Sequence, residues 1–338
     1  MDVKVSEVPV VLTTIAAFVI VVAGLRAAAP IMIPFLLAVF IATLCAAPLF
    51  WMVKKGVPNA LAVFIILQGL VVLAVLMVIF ISRSLNALTQ QLPIYQERLL
   101  LILTQVVVWL NSHGLQIDME NVIIADYFSP RFILTIVTYG LSILRVLVTN
   151  MFLILLIVLF ILLEVSGFPA KLQRAFPNPE VLEQFKVITG TVNRYMGYKM
   201  LISMGTGLLI WLLLLLIGVD FAGTWGLLAF LLNFIPSIGS IIAAVPAIIW
   251  ALVQLGIPAA LLTLLAFLVV NIAIGNFIDP RLVGRKLGLS TLVVIISMIF
   301  WGWVFGPIGM LLSVPLTIIA KIALFSQDRT RWLAVLLE

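Results

Sequence analysis

One cysteine, Cys45, and one histidine, His113, are all that this 338-residue chain carries of the two side chains most used to hold metals. A disulfide framework needs paired cysteines, and a structural zinc site needs about four Cys or His donors, so neither is available. Charge is scarce as well. Asp, Glu, Lys and Arg make up only 9% of the residues while hydrophobic residues make up 64%, against about a quarter charged in an ordinary soluble domain. A soluble core could not hide so much apolar surface. Two catalytic signatures are also missing: there is no GxxxxGK[ST] phosphate loop and no HExxH pair, which removes ATP drive and zinc peptidase chemistry. Nor do the apolar stretches offer a nucleophile paired with a base, as hydrolysis inside a bilayer would require. The chain reads as a non-enzyme with no metal and no cofactor.

What the sequence does have is long apolar runs. Val8 to Leu25, Ile31 to Met52, Val57 to Ile81 and Val146 to Leu163 are almost free of charge, and 18 or more such residues cross a hydrocarbon layer of about 30 Å. The runs are continuous, whereas strands of a membrane barrel would alternate polar and apolar residues, so the expected fold is all-α, a polytopic membrane helical bundle. The first run, although followed by Ala27-Ala28-Ala29, is too long for a secretory signal and reads as a retained span.

The net charge of +6 points to membrane topology and not to nucleic acid, because excess Lys and Arg gather in cytoplasmic loops. With the N-terminus inside, 14 of the 19 basic residues fall on the cytoplasmic side: Lys4, Lys54/Lys55, the stretch Lys171 to Lys199, Arg281 to Lys286, and the tail with Lys321, Arg329 and Arg331. Arg26, Arg83, Arg98 and Arg131 lie outside, and Arg145 snorkels at the outer interface. Both termini are therefore expected in the cytoplasm.

Six segments follow. Residues 1–81 hold three transmembrane helices and 82–132 an extracytoplasmic amphipathic segment. In that segment Leu85, Leu88, Leu92, Tyr95, Leu99, Ile102, Val106 and Leu110 recur every three or four positions, with Pro93 interrupting the pattern. It is expected as interfacial helices lying on the membrane or against a partner subunit. Residues 133–163 form a fourth span, 164–198 a cytoplasmic amphipathic segment, 199–320 the transport region and 321–338 a cytoplasmic tail.

The transport region carries the informative pattern. Ala222 to Gln254 is a mostly apolar stretch broken at Asn233-Phe-Ile-Pro-Ser-Ile-Gly239, and Ser290 to Ala320 is broken at Gly306-Pro-Ile-Gly309. The segment from Pro236 to Pro246 aligns with that from Pro307 to Pro315, allowing a two-residue gap, and each stretch follows a full span. The charge-derived topology opens the first hairpin outward and the second inward, so the two are expected as inverted broken-helix hairpins whose tips meet near mid-bilayer. Proline and glycine permit such breaks, and a break frees backbone groups that can hold a solute. The hairpin-break or gating residues are Pro236, Gly239, Pro246, Gly306, Pro307, Gly309 and Pro315. Polar residues at membrane depth are costly unless used, which nominates Asn233, Ser237, Ser240, Asn271 and Asn276 as solute ligands, with interhelical hydrogen bonding as the plainer alternative. Asp279 and Arg281 form either a loop ion pair or a coupling element. Trp301 and Trp303, near the second break, either pack or stack on solute.

The stretches from Asn233 to Pro246, from Gly275 to Thr291 and from Phe300 to Leu316 resemble the signature regions of the autoinducer-2 exporter family of bacterial membrane proteins, and the similarity covers most of the chain. That resemblance implies a multi-helix inner-membrane transporter in a cyclic homo-oligomer, with a pentamer as the expected ring. Some members of the family export the quorum-sensing signal autoinducer-2 and others are assigned sodium/proton antiport. Ser240 and Thr291 stand where many members have proline, as in the enterobacterial exporters, and Asp279 stands where a glutamate is frequent. The leading expectation is a secondary exporter of a small polar solute, autoinducer-2 first. A sodium/proton antiporter and a non-transporting membrane scaffold are the alternatives.

Overall fold

The computed structural model of the chain describes residues 7–113, 146, 148–165, 167, 171, 173–174, 179–236, 238–278, 289–325 and 337. Among these there is no strand, and the architecture is an all-α bundle. The N-terminal part comprises α1 (Glu7–Ala27), α2 (Ala29–Lys54) and α3 (Asn59–Ser112), followed after a gap by α4 (Met151–Val165). Then come α5 (Pro179–Ile217), α6 (Ala222–Leu232), α7 (Gly239–Leu255), α8 (Ile257–Ile272) with a π-helical turn over Ala273–Ile278, α9 (Thr291–Leu311) and α10 (Ser313–Phe325).

Sequence places several of the helix ends. Pro30 sits in the first turn of α2, where its missing N–H would have had no partner anyway. Gly56, at φ 92°, makes the tight turn into α3 that a residue with a Cβ would resist.

Five stretches among the described residues are long and apolar enough to cross a membrane: Ala29–Lys54, Asn59–Ser84, Gly190–Ile217, Ile257–Gly275 and Thr291–Leu311. The last is counted across a kink at Gly306. Large apolar side chains face outward along these helices, with Ile31 76% and Leu216 83% exposed. Contiguous surface of that kind belongs against lipid. The protein is a multi-pass membrane protein.

Two expected boundaries fall inside continuous helices. α3 runs unbroken for 54 residues, about 80 Å at 1.5 Å per residue, so the division at 81/82 separates compositions and not secondary-structure elements. Pro93 does not end the helix. Beyond its span, α3 reaches the open end of the α6–α7 pair: the Arg98 guanidinium donates to the Gln254 carbonyl at 3.3 Å. The division at 198/199 likewise falls inside α5, which is 39 residues long. Lys199, grouped with the cytoplasmic loop by charge counting, is helical and only 8% exposed.

Topology is directly testable. In a Cys45→Ala background, cysteines placed at Ser112 and Asn178 should react with a membrane-impermeant maleimide from the outside and the inside respectively. Labelling of both from one side would overturn the orientation derived from charge.

Candidate functional site at two broken helices

α5 and α6 cross at close range through glycines. A Cβ added to Gly207 would lie 2.7 Å from the Phe230 Cβ and 2.8 Å from the Gly226 carbonyl oxygen, and one added to Gly226 would lie 2.8 Å from the Gly207 carbonyl. Small residues let membrane helices approach backbone to backbone. The chain then doubles back. At the open end of the α6–α7 pair the Asp220 N–H donates to Gln254 Oε1 at 2.7 Å, and Gln254 Nε2 donates to the Gly218 carbonyl at 3.1 Å. Further in, Trp250 meets Phe221 edge-on at 5.4 Å and Trp225 at 6.0 Å. These contacts run α6 and α7 antiparallel.

The break between them is made by the sequence itself. α6 stops at Leu232, Pro236 cannot donate to a helical ladder, and short bonds fold the connection: Ile235 N–H to the Leu232 carbonyl at 2.8 Å and Ile238 N–H to the Pro236 carbonyl at 2.6 Å. α7 begins at Gly239, which is pressed against the end of α6. A Cβ there would lie 1.7 Å from the Leu232 carbonyl oxygen and 3.1 Å from the Ile235 Cβ.

The second break repeats this construction. Gly306 takes φ 63°, ψ −148°, a region close to one that only glycine occupies readily and that costs other residues about 1–3 kcal/mol. Pro307 follows it. Gly309 is then pressed against the preceding arm, where a Cβ would lie 1.8 Å from the Trp301 carbonyl oxygen and 3.0 Å from the Phe305 Cβ. In both breaks the glycine that follows the proline meets a carbonyl seven or eight positions back and a Cβ four positions back. Phe234 of the first break and Ile308, Leu311 and Leu312 of the second belong to one buried apolar cluster with α2 and α4. The surroundings differ, since α5 lies along α6 while α8 packs chiefly on α7 and α5.

The candidate residues fare differently. Pro246 and Pro315 are buried within the arms. Asn233 Nδ2 donates to Ser203 Oγ on α5 at 2.9 Å, which ties the first break to the span before it. Ser240 and Asn271 are half-buried and neither bonds to Asn233. Asn276 lies in the π-helical turn after α8, a local widening that recurs at functional sites. Ser237, Asp279 and Arg281 lie outside the described residues. Trp301 packs: it stacks on Phe305 at 5.8 Å and its Nε1 donates to Thr317 Oγ1 at 3.0 Å. Trp303 is exposed, with the Arg26 guanidinium 4.4 Å from its ring centre.

Sequence reasoning passed over a set of residues on α5. Lys199, Ser203 and Thr206 are 8%, 0% and 3% exposed, and their spacing of four and three places them on one helical face. Ser203 joins that face to Asn233. The signal was weak, because Asn193, Arg194 and Tyr198 precede them in the same span and three further polar residues at helical spacing do not stand out. Among the described residues no group of three or more His, Cys, Asp or Glu is placed to hold a metal.

A profile described as "AI-2E family transporter" matches residues 15–326. The chain belongs to the AI-2E transporter family. It is similar to the AI-2 transport protein TqsA of Escherichia coli K12, 43% identical over 95% of this chain and 93% of TqsA. It is also similar to the putative transport protein YhhT of the same strain, 35% identical over 97% of this chain and 93% of that protein. A putative transport protein of Haemophilus influenzae is 36% identical over 96% of this chain and 94% of its own length. The broken helices thus belong to an AI-2E transporter, and membrane transport is the function the family carries.

Proposed function

We propose that this AI-2E protein is a secondary exporter of a small polar molecule, autoinducer-2, in a bacterial inner membrane with both termini cytoplasmic. The observation that carries the cargo is the 43% identity, across nearly the whole chain, to a protein named for AI-2 transport. The geometry supplies a means. Two helices broken by proline and glycine leave backbone groups free at membrane depth. On this reading the α6–α7 pair, and the arms 291–305 and 307–325 on either side of Gly306, are re-entrant hairpins of an inverted repeat, with Asn233, Ser203 and Lys199 beside the first tip and Ser237, Ser240, Asn271 and Asn276 completing the polar lining. Asp279 and Arg281 act at the cytoplasmic entrance to α9. The working unit is a homo-oligomeric ring, expected as a pentamer, and native mass spectrometry of the assembly counts its subunits.

One observation favours a second reading. Lys199 is an ionisable group buried inside a span, and such groups often serve proton or ion coupling, as a sodium/proton antiporter requires. Purified protein in liposomes separates the readings. Export predicts autoinducer-2 flux above protein-free vesicles, whereas antiport predicts that an imposed sodium gradient moves protons with no effect of autoinducer-2. Flux of neither would leave a membrane scaffold.

A further inference from the structure

A cavity of about 770 Å³ lies among α2, α3, α4 and α5, closed at its inner end by Phe230 and Phe234 of the first hairpin and by Leu311 beside the second break. Among the described residues its walls are hydrocarbon and thioether apart from the Cys45 thiol, Gly197 and three polar residues, Asn193, Arg194 and Tyr198. A small polar solute would find almost nothing there to replace its water. Nor does a void of that size stay empty cheaply, because its lining has no atoms to touch on one side. In a bilayer the molecule at hand to fill it is a lipid chain.

The polar residues say which lipid. All three stand near the start of the span Gly190–Ile217, where the membrane boundary falls, and Arg194, Tyr198 and Leu201 follow one another at four- and three-residue spacing along one face. That face grades from charged to phenolic to aliphatic, as an amphiphile does from head to tail. Arg194 and Asn193 are exposed, and among the described residues Arg194 has no carboxylate partner, the ion pair there being that of Lys171 with Glu164. A guanidinium at the rim of an apolar pocket between membrane helices suits a phosphate head group.

We propose that this cavity is a binding site for one anionic phospholipid per subunit, with an acyl chain lying against Phe230 and Phe234 and the phosphate held by Arg194 with Asn193 and Tyr198. The lipid would wedge the N-terminal helices against the first break. The site is separate from the solute site proposed above and stands whichever cargo is carried.

The test uses the full chain, purified in mild detergent, delipidated, and titrated with phosphatidylglycerol or phosphatidylcholine of matched chains while bound lipid is counted by native mass spectrometry. The expected result is one phosphatidylglycerol per subunit, bound about tenfold more tightly than phosphatidylcholine, a preference that Arg194→Gln removes. Ala74→Trp, which fills the cavity from α3, should lower binding of both lipids while the assembly keeps its mass. Equal binding of the two lipids by the unaltered protein, or an unchanged preference in Arg194→Gln, would overturn the proposal. So would displacement by inorganic phosphate, which would show an ion site without a chain. If a cysteine at Ala74 crosslinks to a neighbouring subunit, a second copy and not a lipid covers the cavity, and the proposal fails.

Discussion

Replacing Gly239 or Gly309 by alanine should lower the amount of folded assembly at least about tenfold and leave the remainder without flux. At both positions the added methyl would sit on a backbone carbonyl oxygen, 1.7 Å away at Gly239 and 1.8 Å away at Gly309. Both atoms belong to the main chain, so no rotamer change relieves the clash. The break must open by more than an ångström, which pulls apart the helix ends packed around it. Overpacking a flexible site costs about 1–3 kcal/mol, and a rigid one costs more. Gly302 is the control. A Cβ there meets Met310 Cγ at 2.7 Å and Met310 Cε at 2.9 Å, the far part of a pliable side chain, so Gly302→Ala should assemble at close to the normal level. Size-exclusion profiles of tagged protein and liposome flux read both effects. Normal assembly and flux in Gly239→Ala would mean that the tight break is dispensable.

Lys199→Met should give the opposite pattern, with normal amounts of assembled protein and flux reduced by about tenfold or more. The substitution keeps the length of the side chain and removes its charge. Replacing a buried charge by a well-packed apolar group is often neutral or stabilising for a fold, so a merely structural lysine would be expected to leave transport intact or to lose protein and flux together. If solute passes the first break, as proposed above, removing a charge from the α5 face that bonds Asn233 lowers flux without loss of protein. Lys199→Arg should restore part of the flux if charge at this position is what matters. Flux at the normal level in Lys199→Met would remove this residue from the transport path.

The breaks were legible because proline and glycine occur there together: Pro93 alone leaves α3 continuous, whereas Pro236 with Gly239, and Gly306 and Pro307 with Gly309, mark where two backbones touch. The spans were legible for a similar reason, since apolar length is a property of the chain alone. Lys199 was not. Counting basic residues along the sequence weighs an exposed Lys171 and a buried Lys199 equally, and only the burial of that helical face in the folded bundle tells them apart. The expected end of the third helix at residue 81 rested on a change from apolar to amphipathic character. A change of character marks where the solvent changes, and a helix can pass through that change. Asn233 was singled out as a solute ligand from its place in the break, whereas its bond to Ser203 could be seen only once α5 lay beside it. Partners brought together across 30 residues have no trace in local pattern.

The unbroken third helix gives the molecule a lever. From Ser84, where its apolar span ends, to Ser112 it extends 28 residues further, about 42 Å at 1.5 Å per residue. The joint between Arg98 and Gln254 touches it part-way along. A rod held in the bilayer at one end and pushed near its middle magnifies what it receives. A tilt of about ten degrees, too small to disturb the helix ladder, would sweep its tip by roughly 7 Å over that length. Any shift of the first hairpin that leans on this rod would therefore register farther from the membrane, and more strongly, than anything visible within it.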